Sequence, residues 1–219
     1  MVSNLKKYRH IVWDWNGTLI DDVEACVGVV NTLLVRYGIA ETTLEQYLRE
    51  FDFPVIDYYR KLGFDFDKVS FDRIAEEYIA IYRKKQFECS LQENAEDVVK
   101  LCADGGVGQS ILSAYNQKTL EEVIEFFGLK HFFTRIVGLN DLYAACKIEN
   151  GRNLLKKLAL AGSDVLLIGD TVHDFKVAQQ IGADCILIDD GHQSREKLES
   201  TGAVVLASIK EVPGVFFDR

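Results

Sequence analysis

The sequence predicts an α/β fold, a doubly wound parallel sheet with an all-helical unit inserted after its first strand. Three observations predict it. Short apolar runs without strict alternation recur between stretches of helical spacing, as expected for strands covered on both faces. Capping residues bracket those helical stretches. One long segment, residues 21–91, carries helical spacing with no strand between.

The first strand is read at Ile11 to Trp13, ending at Asp14. The inserted segment follows, with helical spacing over Glu24 to Tyr37, Leu44 to Phe51, Val55 to Leu62 and Ser70 to Phe87. Pro54 suits the first turn of the third of these, which Gly63 stops. Further strands are read at Gln109 to Leu112, Arg135 to Val137, Val165 to Ile168 and Cys185 to Ile188, with a weaker run at Ala203 to Leu206. Asn116 opens a helix that Gly128 closes, and Thr171 to Ile181 forms another that ends at Gly182. Gly105-Gly106-Val107-Gly108 precedes a strand and not a helix, so it reads as a turn and not as a phosphate loop. The expected division is a core of residues 1–20 and 92–219 and a helical cap of residues 21–91.

With 219 residues, 48% of them hydrophobic, the chain can bury one full core and a small second one. A formal net charge of −9 argues against nucleic acid as a partner, because phosphate neutralisation needs clustered Lys and Arg. An anionic substrate therefore needs local relief, for example from a metal ion. Lys6, Lys7 and Arg9 precede an apolar run that Asp14 cuts short, so neither a signal-peptide core nor a membrane span is expected and the cytoplasm is the expected location. Five scattered cysteines without a Cys-x-x-Cys pair suggest small buried apolar residues, not a zinc or disulfide framework.

Ligands of open parallel sheets bind beyond the carboxyl ends of the strands, so polar residues that follow apolar runs mark the candidate site. Four positions stand out: Asp14 after the first strand, Ser113 after Ile111-Leu112, Lys147 at a helix start beyond the third run, and Asp170 after Val165 to Ile168 and Gly169. In order, with Asp14-Trp15-Asn16-Gly17-Thr18 and Gly169-Asp170-Thr171-Val172-His173-Asp174, they resemble the four motifs of the haloacid dehalogenase-like hydrolases over essentially the whole chain. The helical insertion after the first strand is similar to the phosphoglycolate phosphatase-like branch.

That resemblance implies a Mg²⁺-dependent phosphohydrolase that acts on a small phosphorylated metabolite through an aspartyl-phosphate. It implies Asp14 as nucleophile, since a carboxylate splits one hard displacement into two easier ones. It further implies a Mg²⁺ held by Asp14, the main-chain carbonyl of Asn16 and Asp170, with Asp174 as a direct or neighbouring partner. Gly17, Thr18, Ser113 and Ala114 would donate to the phosphoryl oxygens, and Lys147 would neutralise charge shared by nucleophile and phosphate.

One residue departs from the pattern. Asn16 stands where the family's phosphatases carry their general acid/base aspartate, and an amide has no titratable proton. General acid/base assistance is typically worth 10²–10⁴-fold, so slow turnover, or restriction to activated substrates such as acyl and aryl phosphates, is expected. His173 is the nearest substitute in sequence. Two alternatives stay open: a phosphate-ligand binding or regulatory protein with little turnover, and a phosphoryl transferase. Arg36, Arg49, Arg60, Arg73 and Arg83 are candidate clamps for a further anionic group on the substrate, and Trp15 is read as structural. A monomer or homodimer is expected.

Overall fold

The computed structural model describes residues 8–139 and 146–216; the side chains of Cys146 and Phe216 lie outside that description, as do Lys6 and Lys7. Six strands form one parallel sheet. In chain order its members are β1 (His10–Trp13), β4 (Gly108–Asn116), β5 (Arg135–Leu139), β6 (Val165–Gly169), β7 (Asp184–Ile188) and β8 (Val204–Leu206), and in space they run β5-β4-β1-β6-β7-β8. The chain thus builds outward from β1 in both directions, and β1 sits at the topological switch point where such sheets bind ligands.

Successive residues of β1 point to opposite faces, and both faces are apolar. Ile11 and Trp13 join a cluster with Val98, Val99, Ile111 and Val123, packed by α5 (Ala95–Asp104) and α6 (Gln117–Phe126). Val12 joins Leu112, Leu154, Leu167 and Val177 on the other face, covered by α7 (Cys146–Leu158) and α8 (Val172–Ile181). This two-sided burial is why the strands lack alternation.

Between β1 and α5 the chain forms α1 (Val23–Arg36), α2 (Leu44–Glu50), α3 (Val55–Leu62) and α4 (Phe71–Lys85), flanked by a two-stranded antiparallel pair, β2 (Ile20–Asp21) and β3 (Ser90–Leu91). That pair is too short to leave a periodic signal in sequence. The four helices enclose an apolar cluster of their own around Val30, Leu33, Leu34, Tyr59, Ile74 and Tyr82. Thr43 and Ser70 cap α2 and α4 with their side-chain oxygens, and Gly63 ends α3 in the left-handed conformation. Pro54 sits just before α3 at its N-cap, not inside its first turn. The helical segment meets the loop after β7, where Ser194 N donates to Leu48 O at 2.9 Å and Gln193 Nε2 to Phe51 O at 2.8 Å. After β7 come the short helices α9 (Arg195–Glu199) and α10 (Pro213–Phe216).

Gly106 holds a φ of +74° in the turn between α5 and β4, as its position before a strand requires. Cys26 and Cys102 are buried and, with Cys89 and Cys185, unpaired. Among the described residues no helix is long and apolar enough to cross a membrane.

Candidate active site

The site grows from strand ends brought level by register. Trp13 pairs with Ile111 on one side and Ile168 on the other, so the residues just beyond these three converge above the sheet. Asp14 extends the pairing by one bond, its amide donating to Ile168 O at 2.8 Å. Beyond β6, Gly169 is required: a Cβ there would collide with the side chain of Asp174. The next two residues turn straight into α8, capped reciprocally by Thr171 and Asp174. Asp170 and Asp174 are therefore held at the positive end of the α8 dipole.

Lys147, in the first turn of α7, reaches into this group. Its Nζ donates to Asp174 Oδ1 at 2.6 Å and lies 2.9 Å from Asp14 Oδ1. The second contact is an ion pair, and Asp14 Oδ1 has no further hydrogen-bond partner among the described residues. Asp170 accepts from Thr18 Oγ1 at 2.9 Å and from the His192 amide at 2.7 Å. Asp174 Oδ2 accepts from the amide and hydroxyl of Thr171.

Carboxylate oxygens of Asp14, Asp170 and Asp174 lie within 4.8 Å of one another. Counting Asp22, the buried carboxylates at this end of the sheet are four among the described residues, against the buried cations Lys147 and His192. The imbalance appears in their acidities. Burial, reinforced by Asp174 and Asp170 and only partly offset by Lys147, pushes Asp14 up to about 7. Burial likewise raises Asp170 to about 6, with Asp174 adding to it. For Asp174, burial is outweighed by Lys147, which holds it below the usual range, and the carboxylates in turn hold Lys147 above its own. A divalent cation suits this group on two counts: all donors are hard oxygens, and the local excess of negative charge needs relief.

Asn16 has a defined job of a different kind. Its Nδ2 donates to Asp22 Oδ2 at 2.8 Å and to Tyr82 Oη at 2.7 Å. Asp22, 1% exposed, also accepts from the Gly17 amide at 2.8 Å and from Tyr82 Oη, and lies 3.3 Å from His192 Nε2. Burial alone would raise Asp22, but the His192 charge and these donors pull it down to about 2. For His192, burial lowers and Asp22 raises, and the balance is a pKa of about 9, so the ring is an imidazolium at neutral pH. Its Nδ1 meets Tyr47 Oη at 3.0 Å.

A cavity of about 470 Å³ opens above Asp14 and Asn16, with Ser113, Ala114 and Lys147 on its walls. Of the residues expected from sequence, Asp14, Asn16, Ser113, Ala114, Lys147, Asp170 and Asp174 are thus gathered in one place. Gly17 and Thr18 are not brought to the cavity wall: the Gly17 amide is taken by Asp22 and the Thr18 hydroxyl by Asp170. The glycine turn curls beneath the site, where a φ of +70° and the proximity of Asp170 and His192 Cδ2 leave no room for a Cβ.

His173 lines the cavity with its ring 4.6 Å from that of Phe53, and burial lowers its pKa to about 4, which leaves it neutral. Trp15 is fully buried against the core, 6.1 Å from Phe127. Among the candidate clamps only Arg83 reaches the cavity wall; Arg36 and Arg73 pair with Glu77, Arg49 with Glu50 and Arg60 with Asp57. Sequence reading missed His192, Tyr47 and Tyr82 as parts of the site. His192 follows a loop glycine, Gly191, whose Cβ would collide with Asp170, and that glycine was the one available signal.

A doubly wound parallel sheet with acidic residues and a buried lysine at its carboxyl edge, and helices inserted after the first strand, defines a class of hydrolases that use a strand-end carboxylate. Residues 11–188 match the family model for haloacid dehalogenase-like hydrolases, and the chain belongs to that family. It is 27% identical over 202 residues to a 5′-nucleotidase of Pseudomonas aeruginosa, a match covering 89% of this chain and 88% of that one. It is 25% identical to a phosphoglycolate phosphatase of Caulobacter vibrioides, over 93% of this chain and 88% of its relative. Its fold is similar to that of a haloacid dehalogenase-like family hydrolase from Streptococcus pneumoniae, with a TM-score of 0.83 at 18% identity, covering 96% of this chain and 99% of the other. The names of these relatives, a 5′-nucleotidase and a phosphoglycolate phosphatase, agree with the enzyme class expected from sequence.

Proposed function

We propose that the chain is a Mg²⁺-dependent phosphohydrolase of small phosphorylated metabolites. Residues 21–91 would form a cap unit over a core of residues 1–20 and 92–219. The observation that carries the reading is the convergence of Asp14, Lys147, Asp170 and Asp174, the first two of them on the wall of a cavity that Ser113 and Ala114 also line. Asp14, the Asn16 carbonyl and Asp170 would hold the cation, which would neutralise phosphoryl charge and align the phosphate with the nucleophile. Asp174 borders that group and fixes the Lys147 ammonium.

In this reading Asp14 Oδ attacks phosphorus in line with the departing oxygen, giving an aspartyl-phosphate that water then hydrolyses. Lys147 offsets the charge that nucleophile and phosphoryl group bring together. Ser113 Oγ and the amide of Ala114, on the cavity wall, would donate to the phosphoryl oxygens. Asn16 orders the turn through Asp22 and transfers no proton.

The test is hydrolysis of p-nitrophenyl phosphate and acetyl phosphate by purified protein with Mg²⁺, beside Asp14→Ala. Turnover in the parent that vanishes in the variant, and in EDTA, is expected; equal rates in the two proteins refute the reading. Commitment of the Asn16 amide to Asp22 favours, as a second reading, a phosphate-ligand binding protein with little turnover. A Mg²⁺-dependent ligand held without hydrolysis would distinguish it, and acceleration by added alcohols would point to a phosphoryl transferase.

A further inference from the structure

We propose that the cavity receives the uncharged aromatic leaving group of an aryl phosphomonoester, an inference that rests on the phosphohydrolase reading and names its substrate class. Rings are prominent on the cavity walls: Phe51, Phe53, Tyr58, Phe71, Tyr78 and Tyr115 line a space of about 470 Å³. Such a volume lies within the range that holds small organic ligands, and rings so placed favour a planar apolar guest.

Charge narrows the guest further. Among the described residues the basic side chains on the cavity wall are Lys147, Arg83, His173 and His192. Each already has a partner. Lys147 serves Asp14 and Asp174, Arg83 pairs with Glu122 at 3.0 Å, His192 faces Asp22, and the His173 ring packs 4.6 Å from that of Phe53. A second anionic group on the substrate, such as the carboxylate of phosphoglycolate, would meet no unpaired cation among the described residues and would have to draw Arg83 away from Glu122.

The leaving oxygen must also depart without a proton from Asn16, whose amide is spent on Asp22 and Tyr82. A phenol, with a pKa near 10 like that of a tyrosine side chain, leaves as phenolate; an alkoxide does not. This separates aryl esters from nucleoside monophosphates, which offer an aromatic base but an alkoxide leaving group. In the balanced reaction an Asp14 Oδ–P bond forms as the P–O(aryl) bond breaks, and the electron pair leaves with the phenolate. Water then attacks phosphorus, its oxygen stays on the inorganic phosphate, Asp14 is regenerated as a carboxylate, and the proton released is taken up by the phenolate.

The experiment measures kcat/KM with Mg²⁺ at pH 7.5 for phenyl, 2-naphthyl and benzyl phosphate, phosphoglycolate and acetyl phosphate, over an Asp14→Ala background. Phenyl and 2-naphthyl phosphate should exceed benzyl phosphate and phosphoglycolate by about 100-fold or more, the size of a missing general acid. Phe53→Ala should raise KM for 2-naphthyl phosphate about tenfold and lower the naphthyl-to-acetyl ratio of kcat/KM by a similar factor. Phe53→Leu, which keeps most of the volume and so protects folding, should fall between. Benzyl phosphate or phosphoglycolate turned over as well as the aryl esters overturns this inference while leaving the phosphohydrolase reading intact, as does an unchanged naphthyl-to-acetyl ratio in Phe53→Ala. Absence of Asp14-dependent turnover with every substrate, acetyl phosphate included, overturns both.

Discussion

Replacing Asn16 by aspartate restores the family's usual residue, yet the structure makes it a costly change. The amide donates to Asp22 Oδ2 at 2.8 Å and to Tyr82 Oη at 2.7 Å. A carboxylate in its place would donate to neither and would put a second negative charge 2.8 Å from a nearly fully buried one. At an effective dielectric of about 20 that repulsion is about 6 kcal/mol if both groups are ionised. Protonating one carboxyl of ordinary pKa near 4 at pH 7 costs about 4 kcal/mol, so the pair takes the cheaper route and shares a proton. Asn16→Asp should therefore lose about 4 kcal/mol at pH 7 and recover about 1.4 kcal/mol per unit as pH falls toward 5. The sign follows from the raised folded-state pKa: the folded variant binds a proton that the unfolded chain releases, so its stability declines as pH rises. Urea denaturation of parent, Asn16→Asp, Asp22→Asn and the double variant, at pH 5, 6 and 7, measures it. In the double variant the amide introduced at position 22 can donate to the new carboxylate, and a coupling of at least about 2 kcal/mol is expected. A pH-independent loss below about 1 kcal/mol, or strict additivity, would show that Asn16 is not held by Asp22.

Three further outcomes are expected. Gly17→Ala should destabilise by about 2 kcal/mol or more and abolish turnover, since its Cβ would meet Asp170 and His192 at a φ of +70°; an active, normally stable variant contradicts the packing of this turn. Lys147→Met should cost about 3–5 kcal/mol by leaving buried Asp14 and Asp174 without their counter-charge, with added Mg²⁺ recovering part of the thermal stability; a variant as stable as the parent would sink the ion-pair account. The raised pKa of His192, about 9 against 6.5, means its contribution is complete below pH 6.5 and lost as pH climbs through 9. In EDTA this decline should be about 3 kcal/mol, and it should be absent from His192→Gln. Asp14 and Asp170 add a decline of their own that ends near pH 7, below most of that window.

Much of this protein is legible in its sequence because strand ends and helix starts are local events. An apolar run that stops at Asp14, a run that stops at Gly169-Asp170 with Thr171 and Asp174 set for a capping box, and a glycine turn at Gly17 each carry their meaning within a few residues. Parallel register then has to bring Asp14 and Asp170 level, because β1 and β6 are neighbours on the sheet. Helical spacing in residues 21–91 was likewise enough to place four helices. The short β2–β3 pair was not legible, because two residues per strand give no period.

Tertiary structure alone decided where the donors point. The Gly17 amide and the Thr18 hydroxyl, in the motif nearest the nucleophile, turn toward Asp22 and Asp170 instead of the cavity. Which arginine reaches the cavity was likewise a matter of packing between helices, and it fell to Arg83, already paired with Glu122. The Asn16, Asp22, Tyr82 and His192 cluster joins segments far apart in the chain, and no spacing rule links them. By itself the sequence determined which chemistry-bearing residues end up at the carboxyl edge of the sheet, since that depends on local endings and a regular register. Only the folded structure decided that the missing acid is an amide bound to a buried carboxylate, because long-range burial sets the charge balance that makes this pairing favourable.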